Sequence, residues 1–225
     1  MMIVKKPNVL LSTILAIFLI MAFVSGCNDT GKSHKEITAL TDEELSYFNG
    51  DEFFNGEYLN IRNQFLSSTY ERPEKIDIFQ LFYCGSGIEE ISTEEERAAV
   101  VAYNNWDMEP DCACMKISRS NMESVLGKYM GLTLADTDEI GLENFTYLEE
   151  YDAYYYYHGD TNYRMEIIFS GGERDGDIVR LFYDDVFFSD GKKILTLQEK
   201  DGSYLFVSNV YCEKPIEDGN KADVG

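Results

Sequence analysis

The chain has 225 residues, with 41 Asp or Glu against 19 Lys or Arg, a formal charge of −22 at pH 7. A surface this acidic repels phosphate backbones and anionic headgroups, which excludes nucleic acid as a partner. The 16 Tyr and 14 Phe exclude a disordered acidic chain, which would carry few aromatics.

Lys5 and Lys6 give the N-terminus a positive start, and Val9 to Val24 is an apolar run in which Ser12 and Thr13 are the only polar residues. The run is shorter than the ~20 residues that a permanent membrane helix needs, and it ends in the small residues Ser25 and Gly26. The segment Val24-Ser25-Gly26-Cys27 resembles the lipobox of bacterial lipoprotein signal peptides. That resemblance implies that residues 1–26 are a signal peptide cut between Gly26 and Cys27, and that Cys27 carries a diacylglycerol. The mature chain then works outside the cytoplasm on a membrane surface, and loss of two lysines takes its charge to −24. Each buried methylene contributes about 0.8 kcal/mol, so two acyl chains anchor a domain that one would not hold. Residues 27–36 form the lipidated cysteine and its tether, and 216–225 a disordered tail.

Helical patterning follows. Thr41 and Glu44 form a capping box ahead of Leu45 and Phe48, and Glu52 to Ser67 places Phe54, Tyr58, Ile61 and Phe65 on one face. A short helix around Ile76 to Phe82 stops at Gly85-Ser86-Gly87, and Thr93 to Glu96 opens a fourth that runs to Asn104. Ser120 and Glu123 are the expected cap of a fifth, with Met122, Val125, Leu126, Tyr129 and Met130 on one face and Gly131 as its stop.

From Phe145 the period shifts to two. Strands are predicted at Tyr151–Tyr157, Tyr163–Ser170, Ile178–Phe188, Lys193–Gln198 and Tyr204–Val210. Turn chemistry at His158-Gly159-Asp160, Gly171-Gly172, Asp175-Gly176-Asp177, Asp190-Gly191 and Asp201-Gly202 makes them antiparallel neighbours. The predicted fold class is α+β, a single domain over 37–215, with helices from 37–135 packed on one face of a five-stranded meander from 145–211.

Four cysteines remain beside the anchor, Cys84, Cys112, Cys114 and Cys212, enough for two disulfides with Cys84 or Cys212 as partners, or for buried free thiols. Asp136, Asp138, Gly141 and Asn144 match an EF-hand loop, but Ile140 and Tyr147 stand where oxygen ligands are required, so no metal site is expected. A hydrolase would have to use His158 with Asp160, and no Gly-x-Ser-x-Gly elbow accompanies them. No cofactor fingerprint is present. On a strand, Tyr154 and Tyr156 share one face and Tyr155 and Tyr157 the other, so one pair is a candidate ligand surface if left uncovered. Trp106, before Pro110, is either a core plug or a ligand-stacking residue.

Phe65-Leu66-Ser67-Ser68, Leu81-Phe82-Tyr83, the run from His158 to Tyr163 and Leu205 to Asn209 resemble segments of a group of uncharacterised lipoproteins from gut Firmicutes. The resemblance implies location and no activity; relatives carry a polar residue where this chain has Cys84. The expected function is a non-enzymatic binding module, anchored to the membrane through Cys27, that uses Tyr154, Tyr156 and Trp106 to hold an envelope protein, peptide or glycan. The alternatives are a small envelope hydrolase acting on peptidoglycan or polysaccharide, and an acidic inhibitor of a cationic envelope enzyme.

Overall fold

A computed structural model describes residues 37–55, 60–83, 87–159, 166–185 and 191–212, which form one compact unit starting at Ile37. The expected signal peptide, Cys27, the tether, Cys84, Asp160 and the tail lie outside the described residues.

The fold is α+β. Strand β1 (Thr38–Ala39) leads into α1 (Asp42–Asn49), capped as expected, with Thr41 Oγ1 accepting from the Glu44 N–H and Glu44 Oε2 from the Thr41 N–H. The helix expected over 52–67 breaks into a π-turn at Asp51–Asn55 and a short α2 (Ile61–Gln64) capped by Asn60. The Asn55 amide is committed to the backbone of Ile167 rather than to a continuous helix face. Helices α3 (Ile78–Tyr83), α4 (Glu94–Tyr103) and α5 (Arg119–Met130) stand where the period places them. The cap of α5 is Ser118 rather than Ser120, because Ser118 ends a strand and its Oγ meets the Asn121 N–H. Glu123 accepts instead from the Leu134 N–H.

Among the described residues, nine strands form two antiparallel sheets. One has the order β1-β6-β7-β8-β9, with β6 at Phe169–Asp175, β7 at Ile178–Asp184, β8 at Lys192–Lys200 and β9 at Ser203–Tyr211. Asp201 and Gly202 join β8 to β9 with φ of 51° and 75°, both positive as a type I′ turn demands. Gly171-Gly172 is not the expected turn but lies within β6: a Cβ on Gly172 would fall 2.6 Å from both the Arg180 carbonyl and Leu40 Cδ1.

The second sheet, β2-β3-β5-β4, corrects the expected meander. Its strands are β2 (Glu90–Ile91), β3 (Ala113–Ser118), β4 (Thr146–Leu148) and β5 (Ala153–His158), so the tyrosine run sits here and not beside β6. Its Ile117, Tyr154 and Tyr156 join the core that α1, α2, α3 and α5 build with Val179, Leu181, Leu195, Leu197 and Phe206 of the larger sheet. Phe65 stacks on Phe206 at 4.3 Å within that core. The opposite face of the smaller sheet packs against α4 through Val100, Cys114, Leu148, Ala153 and Tyr155. With both faces covered, each buried tyrosine or phenylalanine contributes about 1.5–3 kcal/mol.

Candidate functional site

The smaller sheet is incomplete at one corner. Strand β4 pairs with β5 at Leu148↔Ala153 and Thr146↔Tyr155 and goes no further, because the chain before it is wound into a 3-10 turn at Leu142–Asn144. The bond from the Arg119 N–H to the Asp152 carbonyl fixes the phase of β5 against β3: Tyr154, Tyr156 and His158 turn their backbone groups to β3, and Ala153, Tyr155 and Tyr157 turn theirs to β4. The backbone N–H and C=O of Tyr157 therefore point past the end of β4, and neither has a hydrogen-bond partner among the described residues.

A loop from the end of α4 overhangs that corner. Asn105 takes a left-handed turn (φ 53°), and the Trp106 N–H closes onto the Val101 carbonyl at 3.1 Å. Asn104 Nδ2 donates to the Val100 carbonyl and to Thr146 Oγ1, each at 2.9 Å, tying the helix end to β4. Further on, Glu109 meets Arg97 at 2.9 Å and accepts from the Tyr157 hydroxyl at 3.4 Å. Trp106, 41 % exposed, is thus held edge-on to the Tyr157 ring with centroids 5.6 Å apart. Between loop and sheet lies a cleft of 470 Å³, lined by Tyr103, Asn104, Trp106, Glu143, Thr146 and Tyr157 among others. Its volume is in the range of small-ligand sites.

Burial, with Cys114 and Glu109 beside it, pushes the Tyr157 hydroxyl well above the usual tyrosine range. Burial and the Glu96 carboxylate do the same to Tyr155, so both stay neutral donors. Burial also raises the Cys114 thiol, which makes it a poor nucleophile.

The expected site residues divide. Tyr154 and Tyr156 do not form an exposed surface: they are 6 % and 5 % exposed, wedged against Phe145, and the Tyr156 hydroxyl donates to the Phe82 carbonyl, although Tyr156 also lines the cleft. Trp106 is at the surface, and it is joined by Tyr157, from the second pair that alternation offered, and by Tyr103 and Asn104, which periodicity did not single out. Cys112, Cys114 and Cys212 are free thiols, with Cys114 buried under α4 on one sheet and Cys212 at the end of the other. His158 lies against the Tyr83 ring at 4.9 Å. The EF-hand-like carboxylates are spent separately, Asp136 capping Thr133 and Asp138 facing Arg72. No group of three or more potential metal ligands converges among the described residues.

Comparison with protein-family models, curated proteins and solved structures finds no match. The chemistry of the cleft is therefore the basis for assigning a role.

Proposed function

We propose that the chain is a lipid-anchored binding module outside the cytoplasm, held on the membrane by Cys27, with its ligand site in the Trp106–Tyr157 cleft. The lipobox-like segment before Cys27 supports the anchor, and Trp106 carries the binding reading. An indole 41 % exposed yet fixed by a helix-end hydrogen bond and an aromatic neighbour is a preordered contact that loses little entropy on binding. Amide, hydroxyl and carboxylate groups from Asn104, Thr146 and Glu143 supply polar partners around it. A hydrolase reading draws no support from His158, whose ring is packed on Tyr83.

Titration calorimetry of the full chain in detergent tests the site, using a panel of neutral oligosaccharides and of acidic and basic peptides. The bound member should lose at least about tenfold in affinity on Trp106→Ala, the ~1.4 kcal/mol expected of an aromatic contact residue. Equal affinity in the variant would place binding elsewhere.

A further inference from the structure

We infer that the cleft takes an extended peptide bearing lysine or arginine, added antiparallel to β5 where β4 stops. This rests on the cleft being the ligand site. The rungs at Leu148↔Ala153 and Thr146↔Tyr155 are two residues apart on each strand, so the next rung of the ladder falls at Tyr157. The chain's own Asn144 belongs to the 3-10 turn and leaves that rung open. An extended peptide residue offers one C=O and one N–H at the spacing that the Tyr157 N–H and C=O require, which is the basis of recognition by strand addition.

The cleft also selects charge. Glu143 lines it, Asp107 and Asp111 are exposed on the loop that carries Trp106, and among the described residues no lysine or arginine lines it. Acidic ligands are repelled there, and a cation is drawn to the carboxylates and to the π faces of Trp106 and Tyr103. Directly opposed residues in an antiparallel pair project on the same face, so the peptide residue paired with Tyr157 sends its side chain toward Trp106. The cationic side chain and the double backbone contact therefore belong to one peptide residue.

The probe is a blocked seven-residue peptide of Thr and Val with one central Lys, titrated to millimolar concentration against the full chain in detergent and followed by Trp106 emission. A saturable change is expected. N-methylation of the Lys amide removes the donor to the Tyr157 carbonyl and should weaken binding about tenfold, whereas N-methylation of the residue before or after it, whose N–H points away, should change it less than about threefold. Lys→Glu in the peptide should abolish the response, and the Tyr157 amide should exchange more slowly with solvent in the complex. Equal binding of the Lys-N-methylated peptide would overturn strand addition. A response to neutral oligosaccharides and none to the peptide would overturn the peptide while leaving the cleft as the site, and silence toward both would overturn the two together.

Discussion

Asn49 acts as a strand for Phe169. Its Nδ2 donates to the Phe169 carbonyl at 3.0 Å and its Oδ1 accepts the Phe169 N–H at 2.8 Å, the two bonds of a β-ladder made by one side chain. Asn55 does the same for Ile167, with both bonds at 2.8 Å. The short β1 pairs with Glu173 and Arg174 of β6 and the Leu40 N–H reaches the Gly172 carbonyl, so these amides extend the cover along an edge that would otherwise template aggregation. Asn49→Ala leaves two backbone groups of a buried residue unpaired and should cost about 1–3 kcal/mol in urea unfolding. Asn49→Asp keeps the acceptor but sets a carboxylate against a carbonyl, and should be no less destabilising at pH 7. A loss below about 0.5 kcal/mol for both would show that water replaces the amide freely.

Asp185 and Lys193 form an ion pair at 3.3 Å, each residue 2 % exposed, with the ammonium 5.2 Å from the centre of the Tyr211 ring. Removing Asp185 takes a counter-charge away from a buried ammonium, so Asp185→Leu should cost about 3–5 kcal/mol in denaturant unfolding. The double variant Asp185→Leu with Lys193→Met should recover most of that loss. Additive losses in the double variant would mean that the pair is not the unit that matters.

Glu96 is the hub beneath the tyrosine run, with Oε1 accepting from Lys116 Nζ at 3.2 Å and the Tyr155 hydroxyl at 3.0 Å, and Oε2 from the Thr93 N–H at 2.7 Å. Burial raises its pKa, but the Thr93 N–H, Lys116 and Tyr155 together outweigh that and hold it below the usual glutamate range. A depressed folded pKa contributes stability that is complete above the unfolded value, about 4.3, and is lost as pH falls through the folded one. Glu96→Gln should therefore be less stable than the parent at pH 7, and the gap should narrow steadily below about pH 4.5. Unfolding curves at matched ionic strength separate this from the general relief of repulsion in so acidic a chain. A gap independent of pH would remove Glu96 ionisation from the account.

Fatty-acid labelling of the growing cell tests the anchor. The chain should take up label and sediment with membranes, and Cys27→Ser should abolish the label and prevent processing. Labelling that survives Cys27→Ser would place the lipid elsewhere.

What the sequence made legible is local chemistry. The Thr41–Glu44 capping box, the helix start at Thr93 to Glu96, the Gly131 stop and the Asp201-Gly202 hairpin each depend on residues a few positions apart, and each forms as expected. The smaller sheet was hidden because β3 carries Lys116 on a face that looks polar, and the partner that makes it a packed position, Glu96, is 20 residues away on α4. Alternation correctly split the tyrosine run into two faces, but whether either face was open depended on α4 and the main core arriving from opposite sides. Tyr157 was legible as part of that run but not as an open rung of the sheet. Its significance comes from where β4 ends, which no pattern within β5 can disclose.

Trp106 is the only tryptophan in the chain, so its emission reports on the cleft alone. The ligand that calorimetry identifies should shift this emission to the blue, with saturation at the same concentration as the heat, and Tyr103→Ala should weaken the shift. A ligand that binds by calorimetry while Trp106 emission stays unchanged throughout the titration would contradict binding in the cleft.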